Sequence, residues 1–319
     1  MTMKLVTFED VRNLGIPAET CMEWVSDSIM RKGEMTLPAK ISLKPRDGSF
    51  MNTMPCFVPD ASGHLWGGVK LVTRFPEKQP ALDSKLILLD TESGEMVALM
   101  DADWITAIRT GAVAAHSVEL FAQKGYTEVS FLGLGNTARA TMLMLASCVG
   151  DRALNVRLLR YKDQAELFME RFKEFPNIHF SIVDDVVDLI GAAQVLVSCA
   201  TYFEDDIAPD DAFGEGILVV PVHTRGFTNC DLFFDKVFAD DYGHVHHFRN
   251  FEKFKRFAEV SDVVNGRVPG REHDSERILA YNIGLSIHDI AFAAHIWEML
   301  DKASLTEIDM KQPTCKFWV

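Results

Sequence analysis

Positive charge is scarce in this chain: 32 Lys and Arg face 46 Asp and Glu, a formal net charge of −14 over 319 residues. A phosphate-rich partner demands a basic surface, so this balance argues against a nucleic-acid or anionic-membrane binder. Long apolar runs are missing too. No stretch approaches the roughly 20 residues of a membrane span, and Met1–Asp10 lacks the apolar core of a secretory signal. A cytoplasmic protein is expected. The six cysteines (Cys21, Cys56, Cys148, Cys199, Cys230, Cys315) include no Cys-x-x-Cys pair. That speaks against a disulfide frame or zinc site and for reduced, mostly buried thiols. The one metal-like cluster, His244-Val245-His246-His247, sits in a loop-like stretch with no cysteine nearby, and no metal is expected. Internal repeats, low-complexity tracts and flexible linkers are absent. What is left, 48% hydrophobic and 24% charged residues, is the balance of an ordinary globular protein.

The chain changes character along its length. Residues 8–32 read as helical, with Pro17 opening a run of apolar residues at helical spacing. Extended segments follow at 39–43, 50–55, 65–72, 85–89 and 96–100, separated by Asp47-Gly48, Ser62-Gly63 and Glu92-Ser93-Gly94 turns. This predicts a largely antiparallel sheet. Asp101 or Asp103 then caps a helix to about residue 123. Past Gly125, strands at 127–132, 155–159, 178–182 and 194–199 alternate with helices at 137–149, 163–174 and 184–190. Further strands are expected at 216–221 and 236–239, and a last long helix at 286–300. The expected class is α/β: a Rossmann doubly wound parallel sheet over 121–285, plus an N-terminal α+β domain over 1–120 to which the segment 286–319 returns.

The most informative stretch is Val129-Ser130-Phe131-Leu132-Gly133-Leu134-Gly135-Asn136-Thr137-Ala138. A short apolar strand runs into Gly-x-Gly-x-x-Ala, and a helix-forming run follows. Gly133 permits the tight turn, Gly135 lets backbone approach a pyrophosphate, and Ala138 lets helix and strand pack closely. About 20 residues beyond the glycines, an NAD site places a carboxylate for the ribose 2′-hydroxyl. Here Arg160 stands in that place, with Lys162 close by and Asp163 slightly late. A cation there suits a 2′-phosphate, so NADP(H) is favoured and NAD(H) stays possible.

Other segments fall into a recognisable order: Met54-Pro55, Gly68-Val69-Lys70, Phe75-Pro76, Asp90-x-x-x-Gly94, Ala98-Leu99-Met100-Asp101, Ile105-Thr106-Ala107-Ile108-Arg109-Thr110-Gly111-Ala112, Gly133-Leu134-Gly135, then Gly266-Arg267 or Gly270-Arg271, Gly284 and Asp289-Ile290-Ala291-x-Ala293. Taken together they resemble the ornithine cyclodeaminase/μ-crystallin family over nearly the whole chain. The Thr-Ala-x-Arg-Thr-Gly-Ala segment is specific to that family; the glycine loop is not. The resemblance implies an N-terminal substrate-binding and dimerisation domain, a homodimer, and nicotinamide chemistry on a small amino, imino or keto acid. It implies that Lys70 contacts substrate, that Lys40 stands where many relatives hold the substrate carboxylate, and that Thr110, Asn136, Thr137, Thr201 and Asn282 touch the cofactor. The residues themselves agree. An α-carboxylate needs a bidentate cation, which Arg109 supplies. Lys70 projects from a strand that otherwise reads as core, where a lysine is rarely left without a function or partner. If desolvated, it has a lowered pKa and shuttles protons.

One departure matters. Cyclodeaminases carry a Gly-Asp-x-Pro-Gly-like segment after the 216–221 strand, and its aspartate supports catalysis. This chain has Val222-His223-Thr224-Arg225-Gly226, and Asp231 regains the role only if the loop folds back. His223 then offers an acid–base group and Arg225 binds a second carboxylate; the plainer reading packs His223 under the cofactor loop. The function expected is therefore NAD(P)-dependent reduction of an imine or ketimine, or amino-acid dehydrogenation, with hydride transfer at the α-carbon. The alternatives are a cyclodeaminase-type ammonia lyase using bound NAD, and a non-catalytic NADPH-binding protein.

Overall fold

The computed structural model describes residues 2–200, 203–222, 226–309 and 315–316. The first third holds β1 (Thr2–Val6), α1 (Phe8–Arg12), α2 (Ala18–Met30), β2 (Ile41–Leu43), β3 (Phe50–Pro59), β4 (Leu65–Arg74), β5 (Leu82–Asp90) and β6 (Glu95–Asp101). Next come α3 (Asp103–Phe121), β7 (Glu128–Leu132), α4 (Asn136–Val149), β8 (Leu154–Leu159), α5 (Gln164–Arg171), β9 (Ile178–Val183), α6 (Val186–Gly191) and β10 (Val195–Ser198). The rest comprises β11 (Leu218–Pro221), α7 (Cys230–Phe233), β12 (Lys236–Ala239), α8 (Tyr242–Val245), β13 (Phe257–Glu259), α9 (Val260–Val264), β14 (Ile278–Tyr281), α10 (Ser286–Met299) and β15 (Thr306–Asp309).

Two compact units result: Met1–Pro17, Arg31–Thr106 and Leu285–Val319 form one, Ala18–Met30 and Ala107–Gly284 the other. These limits depart from a boundary at residue 120. Helix α2 packs on α4 and α9, and α3 approaches α4 so closely at Gly111 that a Cβ there would stand 2.5 Å from the Ala140 backbone. The single helix expected over 8–32 is two helices. The break at 13–17 contains Gly15 at φ +60° and Pro17, whose missing amide N–H cannot continue a helix.

The first unit is a seven-stranded sheet, β15-β1-β6-β5-β4-β3-β2, antiparallel except for the β1–β6 pair. Burial alternates as in a sheet with one covered face. Met54, Cys56 and Val58 of β3, Trp66, Lys70 and Val72 of β4, and Leu86 and Leu88 of β5 are buried, while Phe57, Leu65 and Leu71, on the other face, are exposed. Helix α10 packs on β3, β4 and β5. Its residues from Ser286 to Ala294 are all buried, so no polar stripe marks its sequence.

The second unit is an eight-stranded sheet, β13-β12-β14-β11-β10-β7-β8-β9, parallel throughout. Strands β10, β11, β12 and β14 are buried at every position, as a sheet with both faces covered requires. The order reverses between β7 and β10, which is the switch point where doubly wound sheets bind ligands. Strands β1, β13, β14 and β15 were not expected; three to five residues each are too few to show a period. Among the described residues no helix is long and apolar enough to cross a membrane.

Candidate functional site

In the second unit the glycine loop joins β7 to α4. Gly133 has φ +84° and is closed in by protein: a Cβ there would lie 2.6 Å from the Ala200 amide nitrogen. Gly135 is different. A Cβ there would meet nothing within 4 Å, so its backbone faces open space. Gly135 is the N-cap of α4 and provides no side-chain cap, which leaves the first-turn amides at Asn136 and Thr137 for a ligand. Ala138 is fully buried against the sheet. Arg139, which had drawn no notice in the sequence, keeps a buried Nε without a hydrogen-bond partner among the described residues. An unsatisfied guanidinium N–H one turn from open backbone fits an anionic group. These residues fit a dinucleotide.

Arg160, just past β8, is already engaged. Its Nε donates to Asp184 at 2.6 Å and its Nη1 to Glu166 at 2.9 Å. Two carboxylates therefore face one guanidinium, a poor setting for a 2′-phosphate. Lys162 occupies the left-handed region at φ +52°, and Asp163 is the exposed N-cap of α5.

At the carboxyl end of the same sheet, Asp240 directly follows β12, and Asn282 and Gly284 follow β14. Arg109 of α3 is buried, and its guanidinium lies against Gly284, whose φ is +94°. The Gly284 amide donates to Asp240 Oδ2 at 2.6 Å. Asn282 accepts from Ser117 Oγ at 3.1 Å and is itself 3% exposed. Thr110 is half-buried on α3.

The sequence had left Asp231 a conditional catalytic role. It is turned inward instead, accepting from the Tyr281 hydroxyl at 2.8 Å, and burial pushes its carboxyl up to about 7. Within the histidine cluster His244 lies in α8, buried, with Nδ1 4.0 Å from Asp240, while His246 and His247 lie in an exposed turn just beyond it. His246 stacks on Tyr242. Among the described residues no group of metal-ligating side chains assembles. His223, Arg225 and Thr201 lie outside the described residues.

In the first unit β4 sets Lys70 opposite Met54 and Leu86 on the covered face. Its Nζ donates to Asp289 Oδ1 at 2.7 Å and to Thr106 Oγ1 at 3.4 Å. Both ionic side chains have zero exposure. Lys70 is thus desolvated as expected, but with a carboxylate beside it that opposes the effect of burial on its proton. Asp289 had carried no assigned role. Cys56, from β3, feels both charges, and burial raises its thiol to about 12. Lys40 is half-buried in the segment before β2. The cysteines are all free thiols, with Cys315 exposed.

Comparison with known proteins gives this geometry a setting. The chain is 25% identical over 271 residues to the N-((2S)-2-amino-2-carboxyethyl)-L-glutamate dehydrogenase of Staphylococcus aureus, covering 76% of each chain. An archaeal alanine dehydrogenase dimer with bound NAD superposes with a TM-score of 0.84 at 22% identity, over 98% of this chain and 100% of that one. The Thermococcus litoralis Δ1-pyrroline-2-carboxylate reductase, in complex with NADH and L-proline, gives 0.82 at 21% identity, over 96% and 100%. At such identities these structures establish the fold. The ornithine cyclodeaminase/mu-crystallin family model matches residues 5–304, and the chain belongs to that family.

Proposed function

We propose that the chain is a nicotinamide-dependent oxidoreductase that reduces the imine of a small imino acid, or runs the reverse oxidation of the amino acid. The observation that carries this reading is Lys70, a cation with zero exposure in the middle of a sheet. A protein that merely stores a nucleotide has no use for it. The named activities of the relatives, on substrates bearing an α-carboxylate, support the substrate class.

The bound nicotinamide supplies the hydride. The chain does the rest. The open backbone at Gly135 and the amides of Asn136 and Thr137 receive the pyrophosphate, and Arg139 adds its unsatisfied N–H. Thr110, Asn282 and Thr201 flank the cofactor. Arg109, held against Gly284, grips the substrate carboxylate bidentately, with Lys40 assisting. Lys70 offers a proton or hydrogen bond to the imine nitrogen or keto oxygen, with His223 as a further acid–base group and Arg225 for a second carboxylate. Because Asp184 and Glu166 already neutralise Arg160, we favour NAD(H) over the NADP(H) expected from the sequence. The exposed sheet face bearing Phe57, Leu65 and Leu71 takes a second copy, as the dimeric state of the archaeal relative supports.

The test is a fluorescence titration with NADH and NADPH. Absorbance at the nicotinamide band then follows a panel of cyclic imines, α-keto acids with amines, and L-ornithine. Loss of reduced nicotinamide with an imine supports the reductase. Ammonia release from ornithine without net cofactor consumption overturns it in favour of cyclodeamination.

A further inference from the structure

We infer that Asp289 is the positioning residue of Lys70: its carboxylate holds the lysine as an ammonium and aims Nζ, so that Lys70 meets substrate as a donor and not as a base. The inference rests on the reading that Lys70 serves an imine.

The covered face of β4 leaves a lysine little choice. Its strand neighbours Met54 and Leu86 are apolar and buried, and cannot satisfy three N–H donors. Asp289 at 2.7 Å and Thr106 at 3.4 Å provide acceptors from α10 and α3. Titratable groups beside the pair include Cys56 on β3 and His288, next to Asp289 on α10. The raised thiol of Cys56 stays neutral in working conditions, and His288 is buried. The carboxylate in contact with the ammonium is that of Asp289, at 2.7 Å. A buried ion pair adds little to stability, since apolar residues of similar volume serve a fold as well or better. Its place in a sheet core points to chemistry. Thr106 restricts the ammonium further, because a second acceptor from another element leaves Nζ less freedom than one contact would.

The experiment compares the full-length protein with its Asp289→Asn and Asp289→Glu variants. Two readouts are taken: the ¹⁵N ammonium resonance of Lys70 in the cofactor-free protein, identified by its absence from Lys70→Arg, and kcat against pH with NADH and Δ1-pyrroline-2-carboxylate. In Asp289→Asn the buried ammonium loses its counterion, so its resonance should vanish at pH 8. There kcat should fall about 100-fold, with the deficit shrinking at pH 6 as the lysine regains its proton. NADH affinity should stay within about twofold, because the pyrophosphate is held elsewhere. Asp289→Glu keeps the charge but moves it by a methylene: the resonance should persist, while kcat falls roughly tenfold at every pH. An unchanged resonance in Asp289→Asn, or a deficit equal at pH 6 and pH 8, would overturn the proposal. If Asp289→Asn does not fold, Asp289→Glu decides, and wild-type kcat in that variant overturns the aiming role. Should the unaltered protein turn over no imine, the reductase reading fails, while the resonance still decides whether Asp289 holds the ammonium.

Discussion

Arg109 and Gly284 stand in such close contact that a Cβ at position 284 would lie 2.9 Å from the arginine's Nη1. One side of this guanidinium rests on bare backbone, and the Gly284 amide is in turn held by the Asp240 carboxylate. A side chain at 284 would therefore crowd the guanidinium and push it aside.

Gly284→Ala should act in two ways. The positive φ of +94° strains an alanine by about 1–3 kcal/mol, seen as a lower urea midpoint. The displaced guanidinium grips the carboxylate less well, so KM for the acid substrate should rise roughly tenfold while NADH affinity holds. Equal loss of both affinities would show that Arg109 does not bind the substrate.

Removal of one partner from the Lys70–Asp289 pair strands the other at zero exposure. Lys70→Ala should cost about 3–5 kcal/mol of stability and abolish turnover, with NADH affinity changed by no more than a few-fold. The double variant Lys70→Met/Asp289→Leu should recover most of that stability and none of the activity. Urea unfolding checks the first statement and steady-state assay the second. A double variant as unstable as the single one would mean that packing, not charge, governs the site.

The parts of this site readable in the sequence are those whose signal is local. Gly133, Gly135 and Ala138 announce themselves because strand, turn and helix lie within ten residues, and Lys70 because apolar neighbours flank it. Asp289 is 219 residues from Lys70, and only the docking of α10 on β4 joins them. Asp240 and Gly284 are 44 residues apart and meet because β12 and β14 pair. The same limit explains Arg160. The positional rule placed it where a ribose is bound, but its partners are Asp184, just past β9, and Glu166 of α5. Helix α2 reads as amphipathic from its spacing, yet which unit it joins depends on the faces of α4 and α9. The outer strands β13 and β15 are too short to show any period.

The ion pairs of Arg160 make cofactor choice adjustable. Asp184 and Glu166 hold the guanidinium from two elements, so the unaltered protein should bind NADH more tightly than NADPH. Replacing both carboxylates, Asp184→Asn with Glu166→Gln, frees the cation for a 2′-phosphate. NADPH affinity should then rise about tenfold, equivalent to roughly 1.4 kcal/mol, with NADH little changed. Fluorescence titration of both nucleotides decides. A double variant with no gain for NADPH would remove Arg160 from the cofactor site.

Asp231 gives stability a pH dependence of unusual sign. Most native carboxylates are held ionised and lose stability in acid. Here burial raises the carboxyl to about 7, well above its unfolded range near 3.9. Between those values the folded state binds more protons than the unfolded one, so this residue's contribution falls as pH rises from 4 to 7 and stays low above. An asparagine at 231 cannot ionise, yet its carbonyl still accepts from Tyr281, whose hydroxyl now donates to Asp231 at 2.8 Å. Asp231→Asn should therefore gain about 2 kcal/mol relative to the unaltered protein on going from pH 5 to pH 8. Urea unfolding at the two pH values measures the difference directly. A difference independent of pH would mean that Asp231 is ionised in the native state at both, its burial offset by the Tyr281 hydroxyl and the Asn250 amide.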